Sequence, residues 1–253
     1  MSTELNYRDY VTDADHMQWY SQYQRKYATT IRESDKMLID IVRGLAAEAV
    51  ARGERPRLLD IGCSTGNLLL HLKRLVPGLQ LTGGDMASGI IAECRANGAL
   101  AGIDFAEMNM LDLTAQRPFD IVVANAALMF FSDDEFEQAI ASISRAITPR
   151  GWFVAFDLFH PFDQEVAIVE TTSLHPRGLK FYFRSFTRVR RALAAAGQPS
   201  PELTPFRIPI DLPRPSDPGD VTTYTVTGVD GTKMSFRGTL FQPWCHVVSR
   251  KSS

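Results

Sequence analysis

The sequence lacks the features that are typical of secreted proteins, of membrane-spanning proteins and of proteins stabilised by a bound metal ion. Its three cysteines, Cys63, Cys94 and Cys245, are widely spaced and form no Cys-x-x-Cys pair, so neither a disulfide framework nor a zinc site is predicted. The N-terminus has no basic start followed by an apolar run, as a signal peptide would. The longest uncharged apolar stretch, residues 121–132, is too short to span a bilayer. Together these absences predict a soluble, cytoplasmic protein.

The chain also lacks a strong excess of charge of either sign. Its formal net charge is −2, with 22% charged and 45% apolar residues, which provides no general attraction to nucleic acid or to an anionic membrane. A chain of 253 residues can bury a sizeable core. We therefore expect a globular protein that acts on a small molecule, without a nucleic-acid or membrane partner. The oligomeric state is left open.

Strand-like and helix-like patterns alternate along most of the chain. Apolar runs typical of buried parallel strands lie at residues 57–61, 79–83, 103–106, 119–124 and 152–159. Helical periodicity lies at residues 34–52, 67–76, 87–97, 132–147 and 186–196, and Ser132 with Glu135 predicts a capping box. Further strand patterns lie at 166–171, 179–183, 206–210, 222–227 and 234–240, with a hairpin turn at Asp230-Gly231. The alternation predicts an α/β fold around a parallel sheet.

The most informative segment is a glycine-bearing turn between the first strand and the helix after it. Residues 58–69 read Leu-Leu-Asp-Ile-Gly-Cys-Ser-Thr-Gly-Asn-Leu-Leu. A phosphate-binding P-loop is excluded because no Gly-Lys-Ser/Thr follows. A dinucleotide fingerprint fits poorly, because Ser64 and Asn67 stand where it requires glycine. A tight turn without a ligand is the simplest alternative.

This turn resembles the first motif of the class I S-adenosylmethionine-dependent methyltransferases, Asp/Glu-x-Gly-x-Gly-x-Gly. Asp60, Gly62 and Gly66 match, and Ser64 replaces the middle glycine. The resemblance implies a Rossmann-like doubly wound, seven-stranded, mostly parallel sheet with its last strand antiparallel. It also implies S-adenosyl-L-methionine as cofactor, S-adenosyl-L-homocysteine as product, and contacts from Cys63 and Asn67.

Three later segments match the family's other cofactor contacts. Asp85, followed by Met86, ends the second strand, where an acidic residue holds the ribose hydroxyls; a helix-capping role for Asp85 is the alternative. Asn109 and Met110 correspond to the adenine contact, although Asp112 is another candidate for the polar residue. Asn125 follows the fourth strand, beside the methionine part of the cofactor.

Two of the remaining segments, residues 1–32 and 161–184, are candidates for covering the site of a single domain, residues 1–253. An N-terminal arm, residues 1–32, offers Tyr20 as a substrate contact and Tyr27 with Arg32 as contacts to the cofactor's carboxylate. A tyrosine-rich helix that merely packs on the sheet is the alternative. Residues 161–184 form a predicted lid insertion, and residues 212–240 an additional hairpin region.

Candidate catalytic and substrate-binding residues lie outside these motifs. His160 follows the fifth strand and is the preferred general base for an oxygen acceptor. The other proposed substrate contacts are Met129, Phe130, His175, Arg177 and Arg184. The two arginines would suit an acceptor that carries a phosphate or a carboxylate. No metal is expected. O-methylation of a small molecule is the preferred function, with N-methylation or a non-catalytic S-adenosylmethionine-binding module as alternatives.

Overall fold

The computed structural model describes residues 7–8, 14–172 and 176–253. Its helices are α1 (Ala14–Gln24), α2 (Glu33–Ala51), α3 (Asn67–Leu75), α4 (Ser88–Ala96), α5 (Asp133–Ala146) and α6 (Phe186–Ala195). Short 3₁₀ turns lie at Arg25–Ala28, Gly98–Leu100, Met110–Asp112 and Leu128–Phe130. Among the helices of these described ranges, none is both long and apolar enough to cross a membrane.

The strands of the first half are β1 (Arg57–Ile61), β2 (Gln80–Asp85), β3 (Asp104–Glu107), β4 (Phe119–Asn125) and β5 (Ile147–His160). Those of the second half are β6 (Val166–Glu170), β7 (Leu179–Ser185), β8 (Glu202–Pro205), β9 (Thr223–Thr227), β10 (Lys233–Arg237), β11 (Leu240–Phe241) and β12 (Trp244–Arg250). The main sheet runs β3-β2-β1-β4-β5-β12-β8, and β6 with β7 joins it beside β5. A separate three-stranded sheet, β11-β10-β9, belongs to the tail.

The predicted fold class is confirmed by this topology. Strands β1 to β5 pair in parallel, and β12, the last strand of the chain, is antiparallel to β5. The strand order reverses at β1, which has β2 on one side and β4 on the other. In open α/β sheets, ligands bind beyond the carboxyl ends of the strands at such a reversal. The topology therefore places a candidate site after β1 and β4.

Both faces of the sheet are covered, as the apolar strand runs predict. Leu58 packs in a cluster with residues of α2, α3 and α4. Its neighbour Leu59 packs in the opposite cluster, with residues of α5 and α6. Successive side chains of a strand point to opposite faces, so a strand buried on both faces must be apolar throughout. Helix α5 begins with the predicted capping box, in which Ser132 and Glu135 bond reciprocally.

The tail departs from the sequence prediction in three places. The single strand predicted over residues 234–240 is instead two strands, β10 and β11, which pair antiparallel. Residues 206–210 form no strand; the strand is Glu202–Pro205, and Phe206, Ile208 and Ile210 instead line a cavity. Alternating apolar residues indicate that the side chains on one face are buried. A strand also requires a neighbouring strand with which its backbone can form hydrogen bonds. Strand β12 was not predicted, because three successive buried residues, 245–247, hide any alternation. The hairpin turn at Asp230-Gly231 is confirmed by the pairing of β9 with β10.

Candidate active site

The glycine-bearing turn after β1 is held in an unusual backbone conformation. Gly62, Ser64 and Gly66 all have positive φ, at 77°, 49° and 74°, a region that favours glycine. The Gly62 amide donates to the Gly84 carbonyl at 2.7 Å. A Cβ added at Gly62 would lie 3.0 Å from the Cβ of Ala127. The turn therefore needs glycine at position 62, while Ser64 occupies a left-handed conformation that is rare for a residue with a side chain.

The Asp85 carboxylate connects this turn to the next helix. One of its oxygens accepts a hydrogen bond from the Ser64 amide at 3.0 Å, and the other accepts from the Ala87 amide at 3.0 Å. Burial raises the pKa of Asp85, and these backbone donors oppose that shift. The capping alternative from the sequence is wrong, because the N-cap of α4 is Ala87, without a side-chain cap, and the Asp85–Ala87 bond closes a turn before the helix. Its predicted role toward a ribose stays a prediction.

A cluster of carboxyl groups lies beside the turn. Asp60 is buried, and its Oδ1 has no hydrogen-bond partner in the described structure. Burial, together with the charges of Asp35 and Asp85, raises the pKa of Asp60 to about 8. Asp35 accepts a hydrogen bond from Asn125 Nδ2 at 2.9 Å. A cationic group placed here would satisfy a buried carboxyl that the protein alone leaves unpartnered.

These groups open into a cavity of about 790 Å³ along the carboxyl edge of the sheet, a size typical of small-molecule sites. It brings together most of the residues that the sequence singled out. The predicted residues that line it are Tyr20, Tyr27, Arg32, Asp60, Gly62, Cys63, Ser64, Asn67, Asp85, Met86, Asn109, Met110, Asn125, Met129 and Phe130. Gly66 shapes the turn without lining the cavity. His175 lies outside the described residues.

The N-terminal segment covers the end of the cavity that contains the glycine-bearing turn. The Arg32 guanidinium lies 3.7 Å from the centre of the Tyr27 ring and donates to Gln24 Oε1 at 2.7 Å. Asn67, at the start of α3, donates from its Nδ2 to the Gln24 carbonyl at 2.9 Å. The segment is thus bonded directly to the helix that follows the glycine-bearing turn. Tyr27 and Arg32 face the cavity together.

Two residues chosen for the acceptor lie elsewhere. His160, the predicted base, is buried at the end of β5 and does not line the cavity. Its backbone pairs with Ser185 of β7, and neither ring nitrogen has a hydrogen-bond partner in the described structure. Arg177 is exposed and also outside the cavity. Strand ends do face the crevice in this fold, but β5 continues past the crevice into its pairing with β7.

Arg184 has a different role from the predicted one. Only 1% of it is exposed, and its guanidinium donates to the carbonyls of Leu128 and Phe131. Asp157 accepts from the amides of Leu128 and Met129. Burial raises the pKa of Asp157 to about 6, and Arg184 opposes the shift. Arg184 and Asp157 therefore hold the turn after β4, and Arg184 does not reach the cavity.

The sequence analysis missed much of the cavity wall. Asp35 of α2 lines it, as do Trp19 and Tyr23 of the N-terminal segment. The tail contributes Phe206, Ile208, Ile210, Leu212, Thr222, Thr223, Ser235, Arg237, Leu240, Gln242 and Trp244. The alternation at Phe206–Ile210 was the only available signal, and it was interpreted as a strand. The described residues contain no cluster of histidine, cysteine, aspartate or glutamate suited to a metal ion.

Residues 58–151 match a family model described as a methyltransferase domain. Among curated proteins, the release factor glutamine methyltransferase of Deinococcus radiodurans is 39% identical over 83 residues, 32% of this chain. The matched stretch covers 30% of that relative's length, so the likeness concerns the domain rather than the whole protein.

Solved structures share the fold over a longer stretch. An amino pentose methyltransferase from Micromonospora echinaspora has a TM-score of 0.57 at 16% identity, covering 92% of this chain and 97% of its own. Human N-acetylserotonin methyltransferase has a TM-score of 0.62 at 13% identity, covering 100% of this chain and 61% of its own. At these identities the likeness establishes the fold alone.

Proposed function

We propose that this chain, which carries a methyltransferase domain of the class I S-adenosylmethionine-dependent family, transfers a methyl group from S-adenosyl-L-methionine to a small molecule. The observation that carries the proposal is the meeting of the glycine-bearing turn, Asp60 and Asp85 at one end of a large covered cavity. S-adenosyl-L-homocysteine would be the second product.

The residues at this end suit an adenosyl sulfonium. The unpartnered Asp60 Oδ1 and the neighbouring Asp35 would face the cofactor's positive charges. Asp85 would hold the ribose, because a carboxylate accepts from two hydroxyls. Asn109 Oδ1 already accepts from the Leu111 amide at 3.0 Å, so we expect Asn109 and Met110 to seat the adenine through backbone and packing contacts. Arg32 and Tyr27 would meet the carboxylate.

Methyl transfer demands little acid–base chemistry from this site. The cofactor supplies an activated methyl group with a neutral leaving thioether, so alignment and exclusion of water can provide much of the acceleration. The N-terminal segment, β7 and the tail together cover the cavity. We propose oxygen as the accepting atom. No histidine of the described residues lines the cavity, so a neutral hydroxyl, such as that of a phenol, would pass its proton to water as the bond to the methyl group forms, without His160.

Calorimetry with S-adenosyl-L-homocysteine tests the cofactor site directly. We expect the wild-type chain to bind it and Asp85→Asn to weaken binding by about tenfold, since a charge-assisted hydrogen bond contributes roughly 1.5–3 kcal/mol. Asp104→Asn, at an exposed position of β3, is the matched control. Absence of binding by the wild-type chain would contradict the proposal.

Incubation with labelled S-adenosyl-L-methionine and pools of phenols, carboxylic acids and amines tests the reaction. Labelled phenols are the expected products. Methylated amines instead would move the accepting atom to nitrogen. Tight cofactor binding without any labelled acceptor would favour a non-catalytic binding module.

A further inference from the structure

The cavity has two ends that differ in composition. One end lies over β3, β2 and β1 and holds the turn and carboxylates described above. The other end lies over β5 and β7, and the tail closes it. If the first end binds the cofactor, the second must receive the acceptor. The inference below therefore rests on the proposed function.

The wall of the acceptor end is aromatic and aliphatic. Leu179, Phe181 and Phe183 occupy alternate positions of β7 and all line the cavity. The ring of Phe130 lies with its centre 5.6 Å from that of Phe181. Trp244, at the start of β12, lines the cavity as well. Flat apolar side chains of this kind suit the faces of an aromatic ligand.

The cationic residue at this end is already neutralised. Arg237, on β10, lines the cavity, and its Nε and Nη2 donate to both carboxylate oxygens of Glu170 at 2.8 to 3.1 Å. Only 22% of the Arg237 side chain and 14% of the Glu170 side chain are exposed, so solvent screens this pair little. Glu170 itself does not line the cavity. An incoming anion would therefore compete with a bidentate carboxylate for Arg237.

Apart from the Asp220 carboxylate, which also lines the cavity and would repel an anion, the other polar groups that the tail contributes to this end are uncharged. Thr223 donates from its Oγ1 to Gln242 Oε1 at 3.2 Å, and both residues line the cavity. Lys26 and Arg32 belong to the N-terminal segment, where they lie over the Tyr27 ring at 4.9 and 3.7 Å. A ligand carboxylate at the acceptor end would lose its hydration without gaining an available cation, which is unfavourable.

We propose that the acceptor is an uncharged aromatic molecule, and that Glu170 determines this specificity by occupying Arg237. Because Arg237 is paired with Glu170, its side chain adds no net charge to the wall of the acceptor end. Removing the charge of Glu170 leaves Arg237 available to an acidic ligand. The site thus rejects anionic analogues of its acceptor through a residue that the acceptor does not touch.

The test uses two probes that differ by one carboxylate, 2-naphthol and 6-hydroxy-2-naphthoate, added to protein saturated with S-adenosyl-L-homocysteine. We expect the wild-type protein to bind 2-naphthol at least about tenfold more tightly, because an unpaired charge is costly to desolvate. In Glu170→Gln, which keeps the side-chain shape, we expect the preference to fall by about tenfold or to reverse. In the double variant Glu170→Gln/Arg237→Gln, the preference for 2-naphthol should return.

Asp211→Asn is the matched control, since Asp211 pairs with Lys233 of the same strand as Arg237 but is 76% exposed. It should leave the preference unchanged. Circular dichroism of each variant checks that it folds, and the double variant separates a charge effect from a loosened tail. Equal binding of both probes by the wild-type protein, or failure of both to bind, would overturn the inference. So would an unchanged preference in Glu170→Gln. Lack of S-adenosyl-L-homocysteine binding with retained preference for 2-naphthol would instead contradict the proposed function alone.

Discussion

The two ends of the cavity are built from different kinds of structure. The cofactor end consists mainly of the ends of neighbouring strands and the turns after them, and its key contacts involve the backbone of residues 62–64 and 84–87. The acceptor end is assembled from side chains of β7, the tail and β12, which are distant in sequence. A ligand that is bound by backbone groups requires one particular backbone geometry, so its site is closely tied to the fold. A ligand that is bound by side chains of inserted segments can be exchanged for another during evolution without a change of fold.

The largest effect is expected from Arg184, which holds the turn after β4 without lining the cavity. Arg184→Ala leaves the buried carbonyls of Leu128 and Phe131 unpaired and removes a cation near Asp157. We expect a loss of about 3–5 kcal/mol in the free energy of unfolding, measured in urea. Arg191→Ala, at a 65% exposed side chain, should change it by less than about 0.5 kcal/mol. If Arg184→Ala has normal stability but binds the acceptor more weakly, Arg184 is a substrate-binding residue, as the sequence analysis predicted.

The second prediction concerns the backbone of the cofactor end. Gly62→Val places a branched side chain at a φ of 77° and against Ala127. We expect the affinity for S-adenosyl-L-homocysteine to fall by about a hundredfold, because strain and blocked approach act together. Gly89→Ala, where an added Cβ meets nothing within 4 Å, should bind normally. Equal affinity in the two variants would mean that the cofactor end does not depend on this turn.

The third prediction concerns the raised pKa of the buried Asp60 carboxyl group at the cofactor end. Burial raises the pKa of Asp60 to about 8 from an ordinary 3.8, so the folded state keeps a proton that the unfolded chain releases. Stability should therefore fall as pH rises from about 4 to about 8. Between pH 5 and pH 8, we expect the free energy of unfolding of Asp60→Asn to gain about 3–4 kcal/mol relative to the wild type.

Urea unfolding at both pH values measures this difference. Asp104→Asn serves as its control, because Asp104 is exposed. If the unfolding free energies of the wild type and Asp60→Asn change with pH in the same way, the pKa of Asp60 is not raised.

The smallest effect is expected at the acceptor end. Thr223→Val removes the hydrogen bond to Gln242 while keeping the side-chain shape. We expect 2-naphthol to bind about fivefold more weakly, because Gln242 loses the partner that orients it toward the ligand hydroxyl, and one neutral hydrogen bond contributes roughly 1 kcal/mol. Affinity for S-adenosyl-L-homocysteine should not change. Thr227→Val, on the same strand but exposed, is the control, and a change in cofactor affinity would show that the two ends are not separate.

Prediction from sequence succeeded where a short segment specifies its own geometry. The fold class is confirmed, residues 58–151 match a methyltransferase-domain model, and the capping box at Ser132 and the hairpin at Asp230-Gly231 form as predicted. Each depends on residues close in the chain, so a local pattern contains the information. Phe206–Ile210 shows the limit. Its alternation correctly indicated covered side chains, but only the complete fold shows that they cover a cavity instead of a neighbouring strand.

The histidine and arginine predictions failed for a related reason. A sequence shows that His160 follows a strand and that Arg184 lies in a basic stretch, but it does not show where β5 bends toward β7 or which carbonyls need a donor. Similarly, Arg237 and Glu170 are 67 residues apart, and no periodicity connects them. The sequence therefore shows where the cationic residues are, but it does not show which of them are already paired with a carboxylate.

By itself, the sequence determined the sheet, the glycine-bearing turn and the order of carboxylates along the strand ends, because strand burial, positive φ and capping are local requirements. Only the tertiary structure decided which side chains surround the acceptor and which charges remain available there. Those properties arise from contacts between distant segments, and the free energy of such contacts depends on desolvation and on partners that no single segment contains.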